Sequence, residues 1–239
     1  ELGEFQKAMG CYEKAIQIQP NFVDAHNNLG AVYFELGEHQ KAMGCYKKVI
    51  QIEPNNLTSH WLSMNTFPII YKNLNEIDMY RKKFEDDTKK INHLLDTEYQ
   101  YTKKQIVDSM KSSTNFYLSY QGRNDINLQK KYANLIERLT EKIYPQFHQE
   151  RTINKSKKII KIGFVSSFFK NHTISILFKN WIIKLNRNFF NIFVYYIGNK
   201  FDKITSQIKE SSNDFFNHTD IDQLINRISK DKLDACNLE

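Results

Sequence analysis

An α-helical solenoid followed by an α/β lobe with a parallel sheet is the fold that this sequence predicts. A stretch running from Glu1 to Tyr12 recurs, with few changes, from Glu35 to Tyr46, an offset of 34 residues. Repetition at this period is typical of stacked pairs of antiparallel helices. Apolar, β-branched runs at 158–166 and 189–197 alternate with helical patterns, which is typical of a parallel sheet.

Composition and charge exclude several classes of protein. The chain has 239 residues, of which 41% are hydrophobic and 26% charged, enough for one or two packed cores and too apolar for disorder. No run approaches the roughly 20 apolar residues of a membrane-spanning helix. Three cysteines without zinc or disulfide spacing, and no export signal, favour a reducing, cytoplasmic setting. The net charge of +7 is dispersed, so neither nucleic acid nor membrane is expected as a partner.

The 34-residue period belongs to the tetratricopeptide repeat. In the complete copy the expected positions of the two helices and of the terminating proline are filled by Leu29, Gly30, Tyr33, Ala42, Tyr46, Val49 and Pro54. Small residues let the paired helices approach closely, and proline ends the second helix. The pattern weakens after Pro54, and Trp61–Phe67 is predicted to cap the solenoid. The first repeat lacks its first helix, so we expect the chain to be part of a longer array.

Long helices are predicted between the repeats and the α/β lobe. A helical period runs from Asn75 to Asp108, and a break follows at 112–115. A further helix is expected from Ile126 to about Tyr144, ended by Pro145 and with Leu128, Tyr132, Leu135 and Leu139 on one face. A basic linker at 155–158 then precedes the first strand.

Strands and helices alternate in the last part of the chain. A helix is predicted over Thr173–Leu185, and the residues expected to face the sheet are Ile174, Leu177, Phe178, Trp181 and Ile182. A short strand at 215–216 and a helix over 221–229 continue the alternation. Strand–helix–strand units with right-handed crossovers predict a doubly wound sheet.

The loop after the first strand is the predicted ligand site, because doubly wound sheets bind ligands beyond the carboxyl ends of their strands. It holds His172, which precedes a helix whose free N–H groups favour anions, together with Asn171, Thr173 and Ser175. A lone loop histidine is either structural or catalytic. Neither GxGxxG nor a Walker lysine occurs, so no bound cofactor and no metal site are predicted.

The order of these segments resembles the protein O-GlcNAc transferases of glycosyltransferase family 41, most closely the bacterial and SPINDLY-like members. The resemblance rests on the repeats followed by the segments Phe116–Asn124, Ile162–His172, Asn188–Tyr196 and Ile221–Asp234, and it covers essentially the whole chain. It implies that the α/β lobe is Rossmann-like and forms the N-terminal half of a GT-B fold.

The resemblance also implies an activity and its residues. The family transfers a sugar from a nucleotide-sugar such as UDP-GlcNAc to Ser or Thr of proteins, and the repeat groove holds the acceptor protein or peptide. His172 matches the active-site histidine of the motif Asp-Phe-x-x-His, where it would relay the acceptor proton or hydrogen-bond the nucleotide-sugar. Asn171, Thr173 and Ser175 are assigned to substrate binding. Asn28 matches an asparagine that lines the groove, although a solvated helix face explains it equally well.

Departures from the family pattern keep an alternative open. Phe168 stands where the motif has Asp, and Thr173 where many members have Pro. The second GT-B lobe lies outside the sequence, so we expect the chain to be inactive by itself. The alternative is a non-catalytic interaction module with a degenerate α/β lobe. The predicted domains are the repeats and cap at 1–72, a helical linker with the start of the catalytic region at 73–157, and the α/β lobe at 158–239.

Overall fold

A computed structural model describes residues 2–148 and 158–238. The chain folds as two compact units, Glu1–His148 and Gln149–Glu239. Most of the predicted basic linker lies outside the described residues. The α-helices described in the first unit are α1 (Leu2–Ile18), α2 (Val23–Glu35), α3 (His39–Ile52), α4 (Leu57–Met64), α5 (Leu74–Leu95), α6 (Lys103–Ser112) and α7 (Ile126–Ile143).

The helices α2 and α3 form the complete predicted pair and approach each other at Gly30. A Cβ atom at Gly30 would lie 2.5 Å from Cε1 of Tyr46, whose ring is 1% exposed. Glycine is therefore required at this crossing, as the repeat pattern predicts. Ala42 of α3 is fully buried in the same helix pair.

A histidine at equivalent positions of successive repeats ties each first helix to the turn before it. Nε2 of His26 lies 2.9 Å from the carbonyl oxygen of Pro20, and Nε2 of His60 lies 2.9 Å from that of Pro54. The two pairs are 34 residues apart. The repeat geometry therefore continues past Pro54, where the sequence pattern weakens.

The helices α4 and α5 form a second pair in the segment that the sequence predicts to cap the solenoid. Tyr80 of α5 follows Tyr46 by 34 residues and is equally buried. The helix α4 ends at Met64, short of the predicted end at Phe67, which is buried outside the helix. Pro68 explains the early end, because the residue before a proline is disfavoured in helical backbone.

One hydrophobic core extends from α3 to α7 and crosses the predicted boundary between residues 72 and 73. The segment from Asn75 to Asp108, where a helical period is predicted, forms the two helices α5 and α6. A capping box starts α6: the side chain of Thr102 accepts from the N–H of Gln105, whose side chain accepts from the N–H of Thr102. The predicted face of α7 is confirmed, with Leu135 fully buried.

The second unit contains a parallel sheet of four strands in the order β3-β2-β1-β4. Its described strands and helices are β1 (Ile160–Ser166), α8 (Thr173–Lys184), β2 (Phe190–Tyr196), α9 (Lys203–Glu210), β3 (Asp214–Asn217), α10 (Ile221–Asp231) and β4 (Ala235–Leu238). Val165 and Val194 lie in neighbouring strands, where Val165 pairs with Tyr195 and Val194 with Phe164.

Helices cover both faces of this sheet. Ile182 of α8 and Ile208 of α9 belong to the core on one face. Leu224 of α10 packs with Val165 and Tyr195 on the other face. The alternation of strands and helices therefore builds the two-sided α/β layer that the sequence predicts.

The buried face of α8 differs from the prediction. Of the five residues expected to face the sheet, only Ile182 is buried, whereas Leu177 is 63% and Trp181 58% exposed. Ser175, at 2% exposure, faces inward instead. Apolar residues surround most of this helix, so the period of 3.6 residues does not identify its inner face. Among the helices of the described residues, none has the length and apolar character needed to cross a membrane.

Gly30→Ala is expected to lower the free energy of unfolding by about 1–3 kcal/mol, because the added methyl group overlaps the buried ring of Tyr46. Gly44→Ala is the matched control in α3, where a Cβ atom meets no other atom within 4 Å. That change should raise stability by about 0.5–1 kcal/mol through helix propensity. Urea unfolding followed by circular dichroism measures both variants. Equal effects of the two substitutions would contradict the close helix crossing.

Candidate functional site

Loops at the carboxyl ends of β1, β2 and β3 form the candidate site of the second unit. These three parallel strands are neighbours in the sheet, so their following loops meet at one edge. The side-chain amide of Asn217 donates to the carbonyl oxygens of Tyr196 at 2.8 Å and of Gly198 at 2.7 Å. Asn217 thus ties the end of β3 to the loop after β2.

Buried hydroxyl groups hold the loop after β1. Oγ of Ser166 accepts from the N–H of Phe168 at 2.9 Å, and Oγ of Ser175 donates to the carbonyl oxygen of Phe168 at 2.5 Å. Oγ1 of Thr205 donates to the carbonyl oxygen of Phe169 at 2.6 Å. The three hydroxyl residues are at most 2% exposed, where hydrogen bonds are stronger than in water. The chain's own side chains therefore shape this loop.

Asp202 links the loops after β1 and β2. Its Oδ2 accepts from the N–H of Asn171 at 2.5 Å, and its Oδ1 accepts from the N–H groups of Ile204 and Thr205 at 2.9 and 3.1 Å. The hydrogen bond from Asn171, with those from α9, holds the pKa of the Asp202 carboxyl below its ordinary value. Sequence reasoning missed this residue, although Asp202 and Thr205 have the spacing of a capping box.

His172 is the N-cap residue of α8 at this edge. Its Nδ1 accepts from the N–H of Ile174 at 3.3 Å, and its ring stacks on Phe168 with centroids 4.3 Å apart and planes inclined by 24°. Because Nδ1 accepts, a neutral ring in this position carries its proton on Nε2. Nε2 forms no hydrogen bond with the described residues. The half-exposed ring can therefore donate to an oxygen of a ligand.

The other residues predicted in this loop have different environments. The side chains of Asn171 and Thr173 are exposed beside His172. Ser175 is buried, and its hydroxyl is used by the carbonyl of Phe168, so contact with a substrate would require that bond to break. Substrate binding by all three remains a prediction.

A second histidine repeats the geometry of His172 at the end of β3. Nδ1 of His218 accepts from the N–H of Asp220 at 3.0 Å, and its ring is nearly parallel to Phe216, at 14°. Sequence reasoning missed His218, because it follows a short strand without any recognisable motif. In residues 2–148 and 158–238, no cluster of three or more His, Cys, Asp or Glu side chains suited to a metal ion is found.

Asn28 belongs to the first unit, on an exposed position of α2. Its neighbour Asn27 is half-buried and accepts at Oδ1 from Oγ of Ser59 at 2.8 Å. The position 34 residues after Asn28 is Leu62 in α4. An asparagine row therefore does not continue from α2 to α4, and groove binding by Asn28 remains a prediction.

Comparisons with known families and structures identify the repeats. Residues 1–37 match the family described as TPR repeat, and residues 23–56 match the family described as Tetratricopeptide repeat. No curated protein matches the chain significantly. Among solved structures, an O-GlcNAc transferase variant from Thermobaculum terrenum is 15% identical with a TM-score of 0.49, over 98% of this chain and 42% of that one. A MamA double mutant is 14% identical with a TM-score of 0.30, over 62% of this chain and 71% of that one.

The sequence matches confirm that residues 1–56 contain tetratricopeptide repeats. Repeats of this kind generally mediate protein–protein interaction. The chain spans less than half the length of the solved O-GlcNAc transferase.

Asp202→Ala is expected to release the amide of Asn171, which should exchange its hydrogen severalfold faster in NMR measurements. The matched control is Asp220→Ala, which removes the cap of α10 by freeing the N–H groups of Asp222 and Gln223 and should leave the amide of Asn171 unchanged. Unchanged exchange at Asn171 in Asp202→Ala would contradict the link between the loops.

The same hydrogen bond should depend on pH. Because folding lowers the pKa of Asp202, its stabilising effect is complete above the ordinary carboxyl pKa of about 3.9 and is lost as the pH falls through the lower, folded value. The amide shift of Asn171 should therefore titrate with a midpoint below about 3.9. A midpoint above that value would contradict the assignment.

Proposed function

We propose that this chain is part of a protein O-glycosyltransferase of the kind its sequence resembles. The observation that carries the proposal is the geometry of His172, at the carboxyl edge of a parallel sheet with Nε2 unused by the described residues. The strand order β3-β2-β1-β4, with helices on both faces, supports a Rossmann-like lobe of the GT-B type. In this proposal the protein is cytoplasmic and uses neither nucleic acid nor membrane.

His172 would act by hydrogen bonding to the nucleotide-sugar. A general base at Nε2 needs the ring proton on Nδ1, where it would break the bond that accepts from the N–H of Ile174. Donation from Nε2 keeps that bond. The N-terminus of α8 also favours a negatively charged group, and the phosphates of a nucleotide-sugar supply one.

The repeats would hold the acceptor protein. Asn28 lies on an exposed strip of α2 with Asp24, Ala31 and Glu35, at spacings that share one helix face. A carboxamide can accept from the N–H and donate to the C=O of an extended peptide. The acidic ends of the strip favour acceptors with basic residues beside the modified Ser or Thr.

A second candidate function is a non-catalytic tetratricopeptide interaction module. It is favoured by Phe168, whose ring occupies the position of the motif's Asp and stacks on His172. In this function the repeats bind a protein, and the α/β unit transfers no sugar.

His172→Asn is expected to reduce sugar transfer at least about 100-fold, because asparagine does not reproduce the Nε2–H of the imidazole. Asparagine is a good N-cap residue, so α8 should remain folded. The assay uses the polypeptide encoded by the whole reading frame, with UDP-GlcNAc, UDP-glucose and GDP-fucose in separate reactions. Mass spectrometry of Ser- and Thr-containing peptides measures the transfer.

His93→Asn is the control, since it removes an exposed imidazole from α5, outside the candidate site. Transfer by this variant should stay within about threefold of wild type. Full activity of His172→Asn would exclude His172 from the reaction. Peptide binding by the wild type without transfer from any of the three nucleotide-sugars would favour the interaction module.

Asn28→Ala is expected to weaken peptide binding by about tenfold, because a peptide loses hydrogen bonds worth about 1–2 kcal/mol. Its stability should not change, since the side chain is exposed. Asn27→Ala is the contrasting control: loss of the bond from Ser59 should cost about 1 kcal/mol of stability and leave binding unchanged. A peptide array followed by calorimetry on the tightest ligand measures affinity. Equal affinities of Asn28→Ala and wild type would remove Asn28 from the binding face.

A further inference from the structure

A polar pocket opens in the first unit between the turn that joins α3 to α4 and the start of α6. It encloses about 300 Å³, which is at the lower end of the range for small-ligand pockets. The residues that give it its chemistry are Glu53, Pro54, Leu57, Tyr99 and Gln105. Its whole lining lies within residues 53–105, a continuous part of the first unit. The pocket therefore does not arise at an end of the chain.

A single carboxylate sets the charge of this pocket. Among the described residues that line it, Glu53 is the one with a charged side chain. Oε2 of Glu53 accepts from Nδ2 of Asn56 at 2.8 Å, which holds the carboxylate in place, and Oε1 forms no hydrogen bond with the described residues. Lys104, next to Gln105 in the chain, pairs with Asp108 at 2.8 Å and does not line the pocket. The pocket therefore presents a negative charge that none of its described lining residues neutralises.

Tyr99 adds an aromatic ring to the same pocket. The ring packs against that of Tyr101, with centroids 4.7 Å apart and planes inclined by 60°, yet Tyr99 remains 40% exposed. Aromatic rings attract cations, and the cation is most often a guanidinium group. Pro54 and Leu57 supply apolar surface, on which the methylene stem of a long basic side chain can lie. Carboxylate, ring and apolar surface together suit an arginine side chain.

The two helix starts beside the pocket do not favour an anion, because side-chain caps already use N–H groups there. At the start of α4, Oδ1 of Asn56 accepts from the N–H of Ser59 at 3.0 Å. At the start of α6, Oγ1 of Thr102 accepts from the N–H of Gln105 at 3.2 Å, and Oε1 of Gln105 accepts from the N–H of Thr102 at 2.9 Å. An anion would have to displace these caps and lie near the carboxylate of Glu53.

We infer that this pocket binds an arginine side chain of a partner protein. The guanidinium lies against Tyr99 and donates to the carboxylate of Glu53, while its stem covers the apolar surface. Arginine fits better than lysine, because a planar guanidinium can stack on a ring and donate to a carboxylate at the same time. A protein is the expected partner because Glu53 lies in the tetratricopeptide match at residues 23–56, and such repeats generally mediate protein–protein interaction. The inference does not depend on sugar transfer.

Amide NMR of the full chain tests this inference, with N-acetyl-arginine amide as the probe. The backbone amides of Asn55 and Thr58, two residues that line the pocket, should shift and reach saturation. N-acetyl-citrulline amide has nearly the same shape without the positive charge, so its affinity should be at least about tenfold lower. Inorganic phosphate should leave both amides unmoved.

Two substitutions make the test specific to the pocket. Glu53→Gln keeps an oxygen for Asn56 but removes the charge, and Tyr99→Leu removes the ring; each should weaken binding of the arginine probe about three- to tenfold. The control for the charge is Glu98→Gln, at an exposed carboxylate that precedes Tyr99 and does not line the pocket. The control for the ring is Tyr120→Leu, at a tyrosine that is 64% exposed elsewhere in the unit. Both controls should bind the probe as wild type does.

Any of five results would overturn the inference. Three concern the cation: no saturable shift with the arginine probe, equal affinities of the arginine and citrulline probes, or unchanged affinity in Glu53→Gln. The fourth is a shift of the two amides that grows with protein concentration when no probe is present, which would indicate a second copy of this chain as the occupant. The fifth is a shift caused by phosphate and not by the arginine probe, which would indicate an anion site at the helix starts.

Discussion

The repeat unit depends on the contact between Gly30 of α2 and the ring of Tyr46 in α3. At this crossing a single added carbon would lie 2.5 Å from the ring, so the distance between the paired helices is fixed by the absence of a side chain. The buried tyrosine fills the space that the glycine leaves. Because Tyr80 occupies the equivalent position 34 residues later, the pair α4–α5 keeps a ring there even though Met64 replaces the glycine. The buried tyrosines therefore keep their 34-residue spacing even in a helix pair that lacks the glycine.

A different constraint organises the sheet edge of the second unit. Hydroxyl groups of Ser166, Ser175 and Thr205 fix the backbone after β1, and the carboxylate of Asp202 joins it to the loop after β2. Polar side chains of this kind often bind ligands, but here they form hydrogen bonds with backbone groups of the protein. His172 is distinguished from them because it has one nitrogen engaged and the other unused by the described residues. The edge is therefore preorganised, and a ligand would not have to order the loop on binding.

The sequence pattern predicts what depends on local spacing and misses what depends on distant contacts. The 34-residue repeat, the strands and the face of α7 follow from periodicity and are present in the structure. The pair α4–α5 was not predicted as a repeat because Ser63 and Met64 replace the expected Leu and Gly. Its retained features, the bond from His60 and the burial of Tyr80, appear only in three dimensions. The link between Asp202 and Asn171 joins residues 31 positions apart, which no local motif encodes.

Phe168 stacks on His172, and this contact bears on both candidate functions. Loss of the motif's Asp would matter most if that carboxylate were needed to orient the histidine. Here the orientation of His172 is set by stacking on Phe168 and by the N–H of Ile174. An aromatic residue therefore provides the positioning, although it provides no charge to support an imidazolium. With the ring held by this stacking and by the N–H of Ile174, Nε2 is the atom of His172 that can donate a hydrogen bond to a ligand.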